Sequence, residues 1–398
     1  MKNSPVGEPA DHWMLDSKVT YLNHGAFGAC PRVVLEAQSE WRARLEREPV
    51  RFFLRELEQH LDEVRSVVGA LVNAEPADIV FVANATAGVN TVLASQRFDP
   101  GDEVLVTNHG YNACLNAAEY WTARAGAIAR RATVPFPIER PAQVVEAVLA
   151  AVTSRTRLAV LDHITSPTGL IFPIEILVDE LASRGIDTLV DGAHAPGMVS
   201  VDLRTLGAAY YTGNFHKWCC APKTAAFLWT RRDRASSVRP LVISHGANAT
   251  RTDRSRYFLE FDWQGTSDVT ALLSVPAALR FLESLFEGGM EGLRMRNRSL
   301  ALAARQVLCT ELGTPPPCPD EMIGSLAAVF FPDVTPQTPT ANELWDRLEQ
   351  VHAIQVPIVP WPERASGFVR IAAQAYNKLP QYEKLAGALS SELGLREA

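Results

Sequence analysis

The sequence predicts an α/β protein: a mostly parallel sheet covered on both faces, followed by a smaller α/β unit. Short apolar runs alternate regularly with helical stretches between residues 78 and 230, as strands joined by crossover helices do. The residues with useful chemistry fall at the carboxyl ends of those runs, where open parallel sheets bind their ligands. A chain of 398 residues, 47% hydrophobic and 21% charged, is long enough for two domains with substantial cores.

Residues 1–20 read as an N-terminal arm, 21–268 as a large domain and 269–398 as a small C-terminal one. Asn23-His24-Gly25 with Gly28 reads as a tight loop, and Pro31 marks the start of the helix after it. Dense charge with apolar residues at helical spacing predicts helices from Arg42 to Leu71, broken near Pro49. Arg51 and Arg55 in that stretch favour surface salt bridges over substrate contacts. Asp78 to Ala83 is a short strand, and Asn84 to Asn90 turns into a helix whose N-terminal N–H groups suit a phosphate. Strand Glu103 to Thr107 runs into Asn108-His109-Gly110-Tyr111-Asn112. After a helix and a strand come a helix over Pro141 to Val152, a strand over Thr156 to His163 and the turn Ile164 to Gly169. A helix over Ile174 to Arg184 and strands over Ile186 to Val190, Ala208 to Thr212 and Ala225 to Thr230 follow. Pro240 to Tyr257 reads as a polar, Arg-rich loop, and from Val269 a long helix leads into the smaller unit. There Pro315 to Pro319 reads as a surface loop, and Gly367 to Ile371 as a strand ending near Tyr376.

A formal charge of −7 without a Lys/Arg block argues against a nucleic-acid partner and for a small-molecule substrate. The first sixteen residues lack the basic-then-apolar order of a signal peptide, and no run of eighteen apolar residues occurs, so a cytoplasmic protein without membrane contact is expected. Six scattered cysteines make no disulfide framework in a chain this long, and none has zinc-ligand spacing, so no metal is expected.

One stretch carries the chemistry. Thr188-Leu189-Val190 delivers Asp191 at its carboxyl end, and the run Ala208 to Thr212 delivers Asn214, His216 and Lys217, so acid and lysine stand 26 residues apart. A buried acid followed by a lysine suggests pyridoxal 5'-phosphate (PLP). That cofactor needs an amine for its Schiff base and a carboxylate to keep its pyridine nitrogen protonated. Taken singly, an Asp after a strand is often a helix N-cap and a His-Lys pair is usually solvated surface.

Asp191-Gly192-Ala193-His194 followed by His216-Lys217-Trp218 resembles the class V aminotransferases of the fold-type I PLP enzymes. Tyr21 to Gly28 and Trp263-Gln264-Gly265-Thr266-Ser267-Asp268 are similar to the isopenicillin N epimerase and cysteine-conjugate C–S lyase branch, and the resemblance runs from about Tyr21 to Asn377. It implies a large domain with a mostly parallel seven-stranded sheet and a homodimer with shared sites. It also implies residue roles. Lys217 would be the Schiff-base lysine and the base that moves the Cα proton, Asp191 the partner of the pyridine nitrogen, and Tyr111 the ring stacked on the cofactor. His194 would contact the phenolic oxygen; Ser166, or less so Thr165, would approach that oxygen or the substrate. Ala85, Thr86, Asn214 and His216, with Thr266 of the other subunit, would hold the phosphate. Asn23, His24 and Arg370 would meet an amino-acid substrate, Arg370 forking onto its α-carboxylate.

The chain departs from the desulfurases of this class in the loop before that arginine, where Val356-Pro357-Ile358-Val359-Pro360-Trp361-Pro362 contains no cysteine. Transfer of sulfur through a protein persulfide is therefore disfavoured. What remains begins with a Cα carbanion and ends in β-elimination, epimerisation or transamination, and the same residues serve all three. The resemblance favours β-elimination from a bulky S-substituted cysteine. A PLP-binding regulatory protein would carry a DNA-binding segment, and none is seen.

Overall fold

Runs rich in β-branched and aromatic residues, bounded by turn formers, become the strands of this chain. The structure is a computed structural model that describes residues 8–332, 339–362 and 364–395. Its strands up to the end of the large sheet are β1 (Thr20–Tyr21), β2 (Ile79–Val82), β3 (Glu103–Thr107), β4 (Ile128–Ala132), β5 (Thr156–Asp162), β6 (Asp187–Asp191), β7 (Tyr210–Asn214) and β8 (Ala226–Thr230). The C-terminal part adds β9 (Leu326–Phe330), β10 (Ile354–Gln355), β11 (Ile358–Trp361) and β12 (Arg364–Ala372).

Seven strands form one sheet in the order β2-β8-β7-β6-β5-β3-β4. All neighbours in it are parallel except β8, which runs antiparallel to both β2 and β7. The expected mostly parallel sheet of seven strands is thus present. Strands β3, β7 and β8 are buried along their whole length, so they read as continuous apolar runs rather than alternating ones. Edge strand β4 instead shows Ile128, Arg130 and Arg131 to the surface. One face is covered by the helices Ala85–Ser95 and Asn112–Arg124 through Val89, Val92, Ala117 and Ala118. The other is covered by Ala142–Ala150 and Ile174–Ala182 through Val144, Val148, Leu177 and Leu181. Strand order reverses between β3 and β5, which opens a crevice at the carboxyl ends of those two strands.

The C-terminal part has its own antiparallel sheet, β11-β12-β9, against which the long helix Gly289–Leu312 packs, and the last helix Leu379–Glu392 packs on that helix. Strand β1 pairs in parallel with β10, so the start of the chain is tied to its end. The stretch read as an arm is anchored as well: Trp13 is buried, its indole N–H donates to the Ala29 carbonyl at 3.1 Å, and its ring packs edge-on against Phe281 and Tyr376.

Several local expectations are refined. The helix from Arg32 ends at Arg47, as Pro49 requires, and resumes through a π-turn at Phe52–Glu56 before the helix Leu57–Leu71. Arg51 pairs with Glu56 at 2.9 Å on the surface. The long helix expected from Val269 is two pieces, Thr270–Leu273 and Val275–Leu285, because Pro276 has no N–H to continue the ladder. Pro315 to Pro319 is only partly a surface loop: Cys318 is buried, and the Pro317 carbonyl accepts the Ile138 N–H at 2.9 Å. Among the described residues no helix is long and apolar enough to cross a membrane.

Candidate active site

The carboxyl ends of β3, β5, β6 and β7 converge on Lys217. Three residues past the end of β7, it is half-buried in the turn Phe215-His216-Lys217-Trp218, whose Phe215 and Trp218 are core residues. Its Nζ lies 3.1 Å from His194 Nε2, and among the described residues it forms no ion pair with a carboxylate. Burial brings its pKa down from 10.5 to about 8; Asp191 works against that shift and Arg370 works with it. Lysine amines that lose their proton near neutral pH are nucleophiles and bases.

His194 is neutral because burial, helped by Lys217 and Arg370, holds its pKa well below the ordinary histidine value. The Trp218 indole N–H donates to His194 Nδ1 at 3.1 Å. Asp191 is buried at the end of β6, where its Oδ1 accepts the Ala193 N–H at 2.9 Å and its Oδ2 the Cys114 thiol at 3.1 Å. Beside it in register on β5 stands a second buried acid, Asp162. Burial, then the Asp191 charge, push the Asp162 carboxyl well above the usual range, against the pull of the Tyr111 backbone N–H.

A helix N-terminus completes this side. Asn214 Oδ1, at the end of β7, accepts the Ala85 N–H at 2.9 Å, and Asn84 Oδ1 caps the Ala87 N–H at 2.8 Å. Between them, the Thr86 hydroxyl and N–H make no hydrogen bond among the described residues. Ala85 and Asn214, both expected at a phosphate, are thus bonded to each other through the Asn214 oxygen and fix the helix N-terminus beside Thr86. His216 Nδ1 donates to the Ala225 carbonyl at 3.2 Å, and burial lowers its pKa to about 4. Its Nε2 donates to an anion only after taking up a proton. Tyr111, 45% exposed, leaves its ring open to the crevice mouth.

On the other side stands Arg370, delivered by β12. It is buried, its Nη1 donates to the Ser166 carbonyl, its Nε has no partner, and no carboxylate pairs with it among the described residues. Burial therefore lowers its pKa to about 10. Thr165 is committed to its own turn, accepting the Leu170 N–H at 2.9 Å and meeting Thr168 at 2.7 Å, so of that pair Ser166 keeps the freer side chain. Asn23 Oδ1 is buried without a partner. His24 behaves differently: its Nε2–H donates to the Lys217 carbonyl at 3.0 Å and its Nδ1 accepts the Tyr376 hydroxyl at 2.8 Å. Burial lowers its pKa to about 3, so the ring is a neutral clamp on the Lys217 backbone. Gly28 lets the same loop close: at φ +66° it approaches so tightly that a Cβ would lie 2.0 Å from the His216 carbonyl oxygen.

Thr266 is apart from all of these. It is exposed on the loop Trp263 to Asp268, which is anchored by Asp262 to Arg65 and Arg254 and by Asp268 to Arg42. It shares no hydrogen bond with the residues around Lys217.

The family model for aminotransferase class-V matches residues 20–337. The chain belongs to the class-V aminotransferase family. It is 33% identical to a probable chloroplastic L-cysteine desulfhydrase of Arabidopsis thaliana over 94% of this chain and 83% of that one. It is 31% identical to an isopenicillin N epimerase of Streptomyces clavuligerus over 97% and 98%. Among solved structures, the cysteine desulfurase of Escherichia coli shares the fold at a TM-score of 0.77 and 21% identity, over 98% of this chain and 99% of that one. Class-V aminotransferases are PLP enzymes, and so is this chain. The residues present fit the cofactor on three observations made among the described residues: a desolvated amine without a carboxylate partner, a buried acid whose side chain bonds only a thiol and an amide, and a helix N-terminus with Thr86 unengaged.

Asp162, Cys114 and Tyr376 are part of this site and escape the sequence reading, which names Trp218 within its motif but misses its bond to His194. Asp162 has the same signal as Asp191, an acid closing an apolar run, but the run reads on through His163. Cys114 and Tyr376 meet the site only by long-range packing.

The depressed pKa has a measurable consequence. The amine must be neutral to attach the cofactor, so the rate at which cofactor-free protein takes up PLP should rise with pH and level off above an inflection near the Lys217 value of about 8. A rate still rising towards the ordinary lysine value of 10.5 would contradict a buried, neutral amine.

Proposed function

We propose that this enzyme is a C–S lyase that eliminates the β-sulfur of a cysteine derivative, releasing a thiol, pyruvate and ammonia. The state of the six cysteines supports this reading. All are free, and burial raises the pKa of each: Cys30 and Cys219 to about 12, Cys318 to about 11, Cys309 upward, Cys114 and Cys220 far upward. None is a thiolate at neutral pH, so none is ready to carry sulfur away as a persulfide. Sulfur then leaves with the small molecule. The desulfhydrase relatives favour the same outcome.

In this reading Arg370, fixed by the Ser166 carbonyl, binds the substrate carboxylate with its free Nε edge, and Asn23 Oδ1 accepts from the amino group. When bound, PLP supplies the electron sink for charge left at the substrate Cα. Lys217 would take the Cα proton, and His24 keeps its backbone in place. Asp191 would pair with the pyridine nitrogen, Tyr111 would stack on the ring, His194 would serve the phenolic oxygen, and Thr86 with His216 would hold the phosphate. Neutral Asp162 beside Asp191 keeps a second negative charge out of that corner.

The epimerase relative, matched over nearly the whole of both chains, favours a second reading in which the proton returns on the opposite face. Incubating the enzyme in deuterium oxide with L-cysteine and with S-substituted cysteines separates the two. The lyase gives pyruvate together with thiol or sulfide, fastest from the bulkier substrates if the Asn23 loop adds binding energy. Deuterated amino acid of inverted configuration without pyruvate would replace it by the epimerase, and a keto acid with sulfur retained would replace it by an aminotransferase.

Thr266 completes the proposal as the phosphate contact of a second subunit in a homodimer with shared sites. Light scattering should report a dimer, and Thr266→Ala should weaken PLP retention by roughly 1–3 kcal/mol, the cost of a hydrogen bond to a charged group. A monomeric protein whose Thr266→Ala variant holds PLP as tightly as the wild type would refute it.

A further inference from the structure

We propose that Trp218 is a positioning residue that locks His194 in the tautomer that keeps the Lys217 amine neutral. An indole N–H only donates. It points at His194 Nδ1 from 3.1 Å, so that nitrogen presents its lone pair. A neutral ring then carries its single proton on Nε2, the nitrogen 3.1 Å from Lys217 Nζ. A neutral amine accepts that N–H through its own lone pair. An ammonium has no lone pair and would set donor against donor, so the arrangement disfavours the charged lysine.

The lock has little freedom. Trp218 and His194 are buried, at 1% and 2% exposure, which keeps bulk solvent from both rings. Gly197 adopts φ +88° and comes so close to the Trp218 backbone that a Cβ would lie 2.6 Å from its carbonyl carbon. His24 packs on the indole at 5.0 Å between ring centroids. Of the charged groups acting on Lys217, Asp191 favours the ammonium and Arg370 opposes it; Asp162 and Cys114 would favour it only after losing their own protons, which burial resists, and His24 and His216 are neutral. The tautomer of His194 therefore acts with Arg370 against Asp191.

This inference rests on Lys217 as the reactive amine but is read on cofactor-free protein, so its failure is separable from a failure of that assignment. In nitrogen-15 spectra, His194 should carry its proton on Nε2 in the wild-type protein. Trp218→Phe keeps an aromatic filler and removes only the indole donor side. His194 should then move its proton to Nδ1 and accept from the lysine, and the pKa of Lys217, measured by competitive acetylation and peptide mass spectrometry, should rise by about one unit or more. Replacing Trp218 by its benzothiophene isostere, which lacks the N–H at nearly constant shape, should do the same. A proton on Nδ1 in the wild-type protein would overturn the proposal even if both variants failed to fold. So would a Lys217 pKa that neither replacement moves.

Discussion

A lysine amine taken out of water without a carboxylate to pair with is the constraint on which this structure depends. Burial penalises the ammonium, and a direct salt bridge would restore it. Lys217 meets the imidazole of His194, with Asp191 near enough to be felt but bonded to Cys114 and Ala193. The same principle recurs across the crevice in the opposite sense. Arg370 is buried, stays a cation and has no carboxylate among the described residues, which makes a positive corner suited to an anion. One lysine that sheds its proton near pH 8 and one buried cation without a carboxylate partner therefore face the same crevice.

Holding such a pair takes residues from the whole chain. The loop after β1 supplies His24 and Gly28, which close on the Lys217 backbone; the strand β12 supplies Arg370; and Tyr376 ties the two regions together through His24. The pairing of β1 with β10 puts the beginning and end of the chain side by side. Those contacts explain why the N-terminal segment is packed through Trp13. A loose arm would leave the lysine turn without its lid.

Much of the sheet was legible because strands buried on both faces are nearly continuous apolar runs, and because parallel sheets present their chemistry at one edge. Asp191, Asn214, His216 and Lys217 follow from that rule alone, and the resemblance added Arg370, which no local pattern marks. What stayed hidden depends on partners distant in sequence. His24, expected to meet substrate, also bonds through its two nitrogens to residues 193 and 352 positions away, which no local pattern marks. The Asn214 oxygen on the Ala85 amide is of the same kind. The break at Pro276 and the buried end of the Pro315 to Pro319 loop are of the same kind, with one local cause each that competes with a longer pattern.

The most direct measurement of the central claim is borohydride reduction of the PLP-loaded enzyme followed by peptide mass spectrometry. The buried neutral amine predicts a phosphopyridoxyl group on Lys217 and none on Lys223, six residues on, whose Nζ donates to the Gly28 carbonyl at 2.9 Å. Label on Lys223 or any other lysine, or protein that binds PLP yet takes no label at all, would contradict it.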